Sequence, residues 1–226
     1  MSCLWVSLES MNLLLLSLDP GAVPQFLERS TSLAPSELRI AYIDDAAYGM
    51  PFAASERAGI AEFGYQLIDV RVRGMAPEGF ASVLDRADAV YVASGETFLL
   101  LDALRSSGAA EVLSERVHAG LPYIGCSAGA IVAGESVTPV ELMDNRSLAP
   151  DLEGDAGLAF FESVIIPHAD GKLPPYPAEL IARIVEQFGE NFSLTLLEDA
   201  QALQVLDGVP EVIPSETATE QEPQHG

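Results

Sequence analysis

The feature that most constrains this chain is alternation: short apolar runs of strand length recur, and segments with helical spacing separate them. Residues 12–18, 38–43, 65–72, 89–93, 121–124, 164–166, 193–197 and 202–206 read as strands. Residues 23–31, 52–63, 80–87, 98–105, 110–118 and 178–188 read as helices, and Gly64, Gly108 and Gly120 close three of them. Pro24 is compatible with a first helical turn. Strand–helix alternation of this kind predicts an α/β fold, a mostly parallel sheet with helices on both faces.

A chain of 226 residues fits one such domain, and 49% hydrophobic residues suffice for a buried core. The domain is expected over residues 11–212. Residues 1–10 are then an N-terminal extension before Met11, and 213–226 a disordered acidic tail, polar and without periodicity. Residues 135–159 have little regular pattern, and a long irregular loop inside a compact domain is often functional. The apolar run Leu13 to Leu16 lacks basic residues before it and is too short to span a bilayer, so a buried strand is the better reading and no membrane association is expected. A net charge of −23 repels phosphate backbones and argues against nucleic acid as a partner. Two cysteines, Cys3 and Cys126, are too few for a disulfide framework, which fits a reducing, cytoplasmic setting.

The most informative segment is LPYIGCSAGA, residues 121–130. Gly125 and Gly129 bracket Ser127 at i−2 and i+2, between a strand and a helix that can begin after the serine. This is the G-x-S-x-G elbow, in which a strained turn lifts the hydroxyl above the sheet. A following helix N-terminus aims backbone N–H groups at a developing oxyanion. The plainer alternative is a glycine-rich turn with Ser127 as a helix cap. Cys126 stands beside the apex, so serine rather than cysteine is the expected nucleophile.

A serine nucleophile needs a base, most often histidine. His225 lies in the polar tail. His118 lies near a helix end, where its charge suits the helix dipole. His168 follows VIIP just past a strand end, where open α/β sheets place their sites. It is the favoured base. The imidazole in turn needs an acid; Glu141, Asp144, Glu162, Glu198 and Asp199 are candidates.

A second strand–turn–helix, AVYVASGETFLLLDAL, spans residues 89–104. Gly95 can bring its N–H close to a ligand, and Thr97 or Glu96 can cap the helix that follows. Gly95 is thus a candidate oxyanion donor opposite the amide of Ala128; one such donor is worth roughly 3–4 kcal/mol. Cys, His and carboxylates show no ligand spacing, so neither metal nor cofactor is expected.

The segments MNLLLLS, VASGETFLLL, YIGCSAGA and IIPHAD resemble, in that order, the aspartyl dipeptidase (peptidase E) family, a relative of cyanophycinase. The resemblance runs from about Met11 to Leu206, although the family's GGGNTF turn reads ASGETF here. It implies a flavodoxin-like sheet of the class I glutamine amidotransferase type and a Ser–His–acid triad. Ser127 falls on the nucleophile, His168 on the base and Gly95 on the last glycine of the turn. The family's acid lies in a late strand-end motif, matched here by LEDAQAL. Ungapped register puts Asp199 on it, and Glu198 only after a slip of one residue.

The implied activity is hydrolysis of short peptides, dipeptides with N-terminal Asp foremost, through an acyl-enzyme. The family meets that Asp with an arginine after the histidine. Here DGKLPPYPAEL has none before Arg183, and Lys172 offers a point charge without the bidentate fork. An esterase or amidase with the same triad, and an inactive module whose glycine turns hold an anion, are the alternatives. The expected partners are a small peptide substrate and, as a homodimer, a second copy of the chain.

Overall fold

In β1 (Leu13–Leu16) every side chain is buried. Leu13 and Leu15 join one apolar cluster, Leu14 and Leu16 another. The split recurs in β2 (Arg39–Ile43), with Ala41 and Ile43 in the first cluster and Ile40 and Tyr42 in the second. Strand side chains alternate with period two, so two buried sets mean a sheet covered on both faces. In this computed structural model, which describes residues 11–217, helices α1 (Val23–Ser30) and α2 (Ala53–Glu62) cover one face through Phe26, Leu27 and Ile60. The other is covered by α3 (Pro77–Leu84), α4 (Thr97–Ser106), α5 (Ala109–His118) and α6 (Ala128–Ala133), through residues such as Phe80, Leu101, Leu113 and Ile131, and α7 (Ala178–Phe188) joins the same apolar cluster through Ile184.

With β3 (Gln66–Val70), β4 (Ala89–Val92), β5 (Tyr123–Cys126), β8 (Gln201–Leu206) and β9 (Val209–Pro214), the main sheet has the order β3-β2-β4-β5-β1-β8-β9. Its first five strands are parallel; β8 and β9 are added antiparallel. The mostly parallel α/β fold read from the sequence is therefore the one observed. Two further strands, β6 (Val164–Ile166) and β7 (Leu194–Leu196), pair in parallel as a small separate sheet. Among the described residues no helix is long and apolar enough to cross a membrane.

Two expectations change. The boundary at 212 falls inside β9, which the sequence reading did not contain. Asp207 and Gly208 turn β8 into β9 with φ of 52° and 74°, the paired positive values of a tight hairpin. Pro210 and Pro214 are tolerated because β9 is an edge strand. Beyond it, Ser215 is buried: its Oγ donates to the Asp19 carbonyl (2.5 Å) and accepts from the Ala22 N–H (3.1 Å). The expected disordered tail thus gives up its first residues, 213–217, to the fold; residues 218–226 and 1–10, with His225 and Cys3, lie outside the described residues. Secondly, the 135–159 loop contains 3₁₀ turns at Thr138–Leu142 and Arg146–Leu148, clasped by a bridge between Ser136 and Ala156 and an Arg146–Asp155 ion pair.

The C-terminal ends of β1, β4 and β5 open on a cavity of about 800 Å³, lined there by Leu18, Asp19, Ser94, Gly95, Cys126 and Ser127.

Candidate active site

Ser127 leaves β5 with φ 46° and ψ −105°, a conformation that costs a non-glycine residue about 1–3 kcal/mol. Its N–H donates to the Leu16 carbonyl of β1 (3.0 Å), and its carbonyl accepts the Ile131 N–H that starts α6 (2.9 Å). The bracketing glycines are a steric necessity. A Cβ on Gly125 would lie 2.4 Å from the Gly129 carbonyl oxygen, and one on Gly129 would lie 2.1 Å from that of Val92. The turn is tight because β4, β5 and α6 meet backbone to backbone.

Opposite Ser127 stands His168, two residues past β6 and 2% exposed. Its Nε2 is 3.1 Å from Ser127 Oγ, and its Nδ1 is 2.7 Å from Asp199 Oδ1. His168 and Asp199 follow adjacent parallel strands, with Ile166 paired to Leu196, and the Ala169 N–H donates to the Leu197 carbonyl (2.9 Å). Of the other acids weighed, Glu141, Glu162 and Glu198 are exposed, and Asp144 bonds elsewhere. His118 ends α5, at the end of β5 away from Ser127; its Nδ1 is 2.6 Å from the Ser114 carbonyl.

Two contributors, Ser17 and Tyr176, escaped the sequence reading, and a third, Asp144, was expected there only as a candidate acid. Ser17, fully buried just past β1, accepts the His168 N–H (2.8 Å) and donates to the Leu197 carbonyl (3.1 Å). It thereby ties the main sheet to the small one beneath a histidine whose φ is 59°. Tyr176 stacks on the His168 ring, with centroids 5.0 Å apart and planes 8° from parallel. Its hydroxyl donates to Asp144 Oδ1 (3.3 Å). Asp144 Oδ2 also accepts the first N–H of α4, from Thr97 (2.9 Å). That corrects the expected cap: neither Glu96 nor Thr97 caps α4 with its own side chain. Ser17 carries no motif, and Tyr176 and Asp144 sit in irregular segments whose partners are distant in sequence, so no local pattern marks them.

Gly95 has φ 135°, and a Cβ there would lie 2.2 Å from the Ala46 carbonyl oxygen. It lines the same cavity as Ser127. Ala128 is the first residue of α6, so its N–H has no partner within the helix. Burial foremost, and then the nearby Glu56 carboxylate, push the Cys126 thiol well up. It stays protonated and is a poor nucleophile. Burial also raises Asp144, Glu56 and Glu96 above the usual carboxylate range; for Glu96 the Asp144 charge adds to it. Lys172 is exposed and paired with Asp170 (2.9 Å), and Arg183 lies on the exposed side of α7.

A strand–turn–helix serine within reach of an imidazole–carboxylate pair, above a doubly covered parallel sheet, is the architecture of serine-type hydrolases. Within that class the chain belongs to peptidase family S51, whose family model matches residues 20–213. It is 24% identical over 200 residues to the uncharacterized peptidase Lin0382 of Listeria innocua, covering 87% of this chain and 93% of that one. It is 29% identical over 123 residues to the uncharacterized peptidase PM1590 of Pasteurella multocida (54% and 58%). It is 39% identical over 132 residues to a peptidase E of Streptomyces coelicolor (56% and 53%). The chain thus spans little more than half the length of the last two. Among solved structures, a candidate peptidase E protein of Listeria monocytogenes EGD-e superposes with a TM-score of 0.78 at 22% identity, over 92% of this chain and 99% of that one. A peptidase from an acI-B1 actinobacterium gives 0.65 at 18% identity, over 94% of each. At such identities these two show the fold.

Proposed function

We propose that the chain is a serine peptidase that hydrolyses short peptides through Ser127, His168 and Asp199. The observation that carries this reading is the pair of hydrogen bonds, 3.1 and 2.7 Å, linking hydroxyl, imidazole and carboxylate at three strand ends. Ser127 Oγ attacks the scissile carbonyl carbon while His168 Nε2 takes its proton. The imidazolium then donates from Nδ1 to Asp199, which holds the tautomer and balances the charge. The amides of Gly95 and Ala128 hold the oxyanion. Collapse breaks the C–N bond, and the leaving amine takes the proton from His168. Water, deprotonated by His168, attacks the acyl-enzyme; the acid is released and the serine proton restored.

Short peptides are the proposed substrate class. The Asp-first preference implied by the family resemblance meets no lysine or arginine among the described lining residues. Ser127→Ala should abolish peptide hydrolysis while leaving the circular dichroism spectrum intact, and a fluorophosphonate should label wild type at Ser127. Retained hydrolysis in the variant refutes the reading, and a silent probe favours an inactive binding module.

A further inference from the structure

The cavity over Ser127 carries five carboxylates, Asp19, Glu56, Glu62, Glu96 and Asp144, and among the described residues neither lysine nor arginine lines it. Two of them flank the turn that holds Gly95. Glu56 Oε1 accepts the Ser94 N–H (3.1 Å) and the Tyr91 hydroxyl (3.0 Å), while its Oε2 is buried with no hydrogen-bond partner. Glu96 follows Gly95 directly, and its Oε2 accepts only a long bond, from the Asn145 N–H at 3.3 Å. These groups resist their own ionisation: burial raises both, Asp144 raises Glu96 further, and Asp19 is raised by burial and by the Asp199 charge. The rest of the wall is largely apolar, with Met50, Phe52, Phe63, Met143, Leu173 and Pro175.

A substrate carboxylate entering here would add a further negative charge to a partly desolvated acidic wall, with no cation to meet it. Like charges at such sites oppose each other strongly. A cationic group relieves the same repulsion, and an apolar side chain fits the remaining wall. Building on the Ser127 reading, we propose that this enzyme discriminates against an acidic first residue and prefers short peptides with a free ammonium group and an apolar first side chain, Glu96 being the main recognition carboxylate.

The test is a panel of X-Leu dipeptides, with X as Asp, Glu, Leu or Met, and N-acetylated forms of the last two, read by mass spectrometry of released leucine. Wild type should show kcat/KM roughly tenfold or more higher for Leu- and Met-first peptides than for Asp- and Glu-first ones, a repulsive element acting as specificity. N-acetylation should lower the Leu-first value by about tenfold. Glu96→Gln should shrink both differences. Asp-first turnover equal to or above Leu-first overturns the inference and leaves the peptidase reading standing, and this arm needs no variant to fold. Unchanged ratios in a folded Glu96→Gln protein also overturn it. Fluorophosphonate labelling of Ser127 is the separate readout: enzyme that labels but cleaves no peptide sinks the peptidase reading and the inference with it.

Discussion

Removing the Ser17 hydroxyl with Ser17→Ala separates stability from positioning. The His168 N–H, buried and held at 2.8 Å, loses its acceptor, which costs about 1–3 kcal/mol. The Leu197 carbonyl keeps the Ala169 N–H at 2.9 Å, so little is added there. A loss of about 2 kcal/mol corresponds to about 4–8 °C in Tm for a chain of this size. The kinetic effect follows from the His168 backbone, whose φ of 59° is unfavourable without a partner to fix it. Displacing the imidazole by a fraction of an ångström from Ser127 should lower kcat about tenfold or more, since a shift near 1 Å can cost 10²-fold. Asp199 and the Tyr176 stack restrain the ring and keep the effect at the lower end. Thermal unfolding by circular dichroism and steady-state turnover of a cleaved peptide, on one preparation, decide it. An unchanged Tm refutes the hydrogen-bond accounting. A lowered Tm with unchanged kcat refutes the positioning role.

Asp199→Asn should lower kcat by about 10⁴ through the wrong imidazole tautomer, with an unchanged fold; a loss under about tenfold would remove Asp199 from the mechanism. Gly129→Ala should destabilise by about 3 kcal/mol, because the new methyl would sit 2.1 Å from the Val92 carbonyl oxygen; a urea midpoint equal to wild type would contradict the steric account of the elbow. Burial raises Asp19, Glu56, Glu96 and Asp144, so their contribution to stability is complete below the ordinary carboxylate range, about pH 4, and is lost as pH rises through each raised value. Asp88 and Asp170 are held low despite burial by bonds from Arg39 and Lys172, and what they add is lost only at lower pH. The net charge of −23 also favours mild acid. Unfolding free energy from urea titration should therefore be larger at about pH 5 than at about pH 8, and the opposite order would refute the burial argument.

Much of the fold was readable because its signals are local. The strands fully buried on both faces appear as unbroken apolar runs, such as LLLL and AVYV, and the elbow appears as glycines where a Cβ has no room. The placement of His168 past VIIP follows from strand-end logic, whereas Asp199 was distinguished from Glu198 only through a family register. What escaped is tertiary. In β9 five of six side chains are exposed, so it carries no apolar pattern, and the Asp207–Gly208 turn is its one local mark. The α4 cap comes from Asp144, 47 positions away, and Ser17 meets His168 across 151. Neither separation leaves a trace in a window of neighbouring residues.

The division of the site between two sheets has a mechanical consequence. His168 follows β6 and Asp199 follows β7, while Ser127 follows β5 of the main sheet. Two short ties hold the sheets against each other: the His168 N–H on Ser17 Oγ at 2.8 Å and the Asp19 N–H on the Asp199 carbonyl at 3.1 Å. In the mechanism proposed above, loosening these ties would lengthen the 3.1 Å contact between Ser127 and His168, so the joint between the sheets sets whether the hydroxyl can be activated.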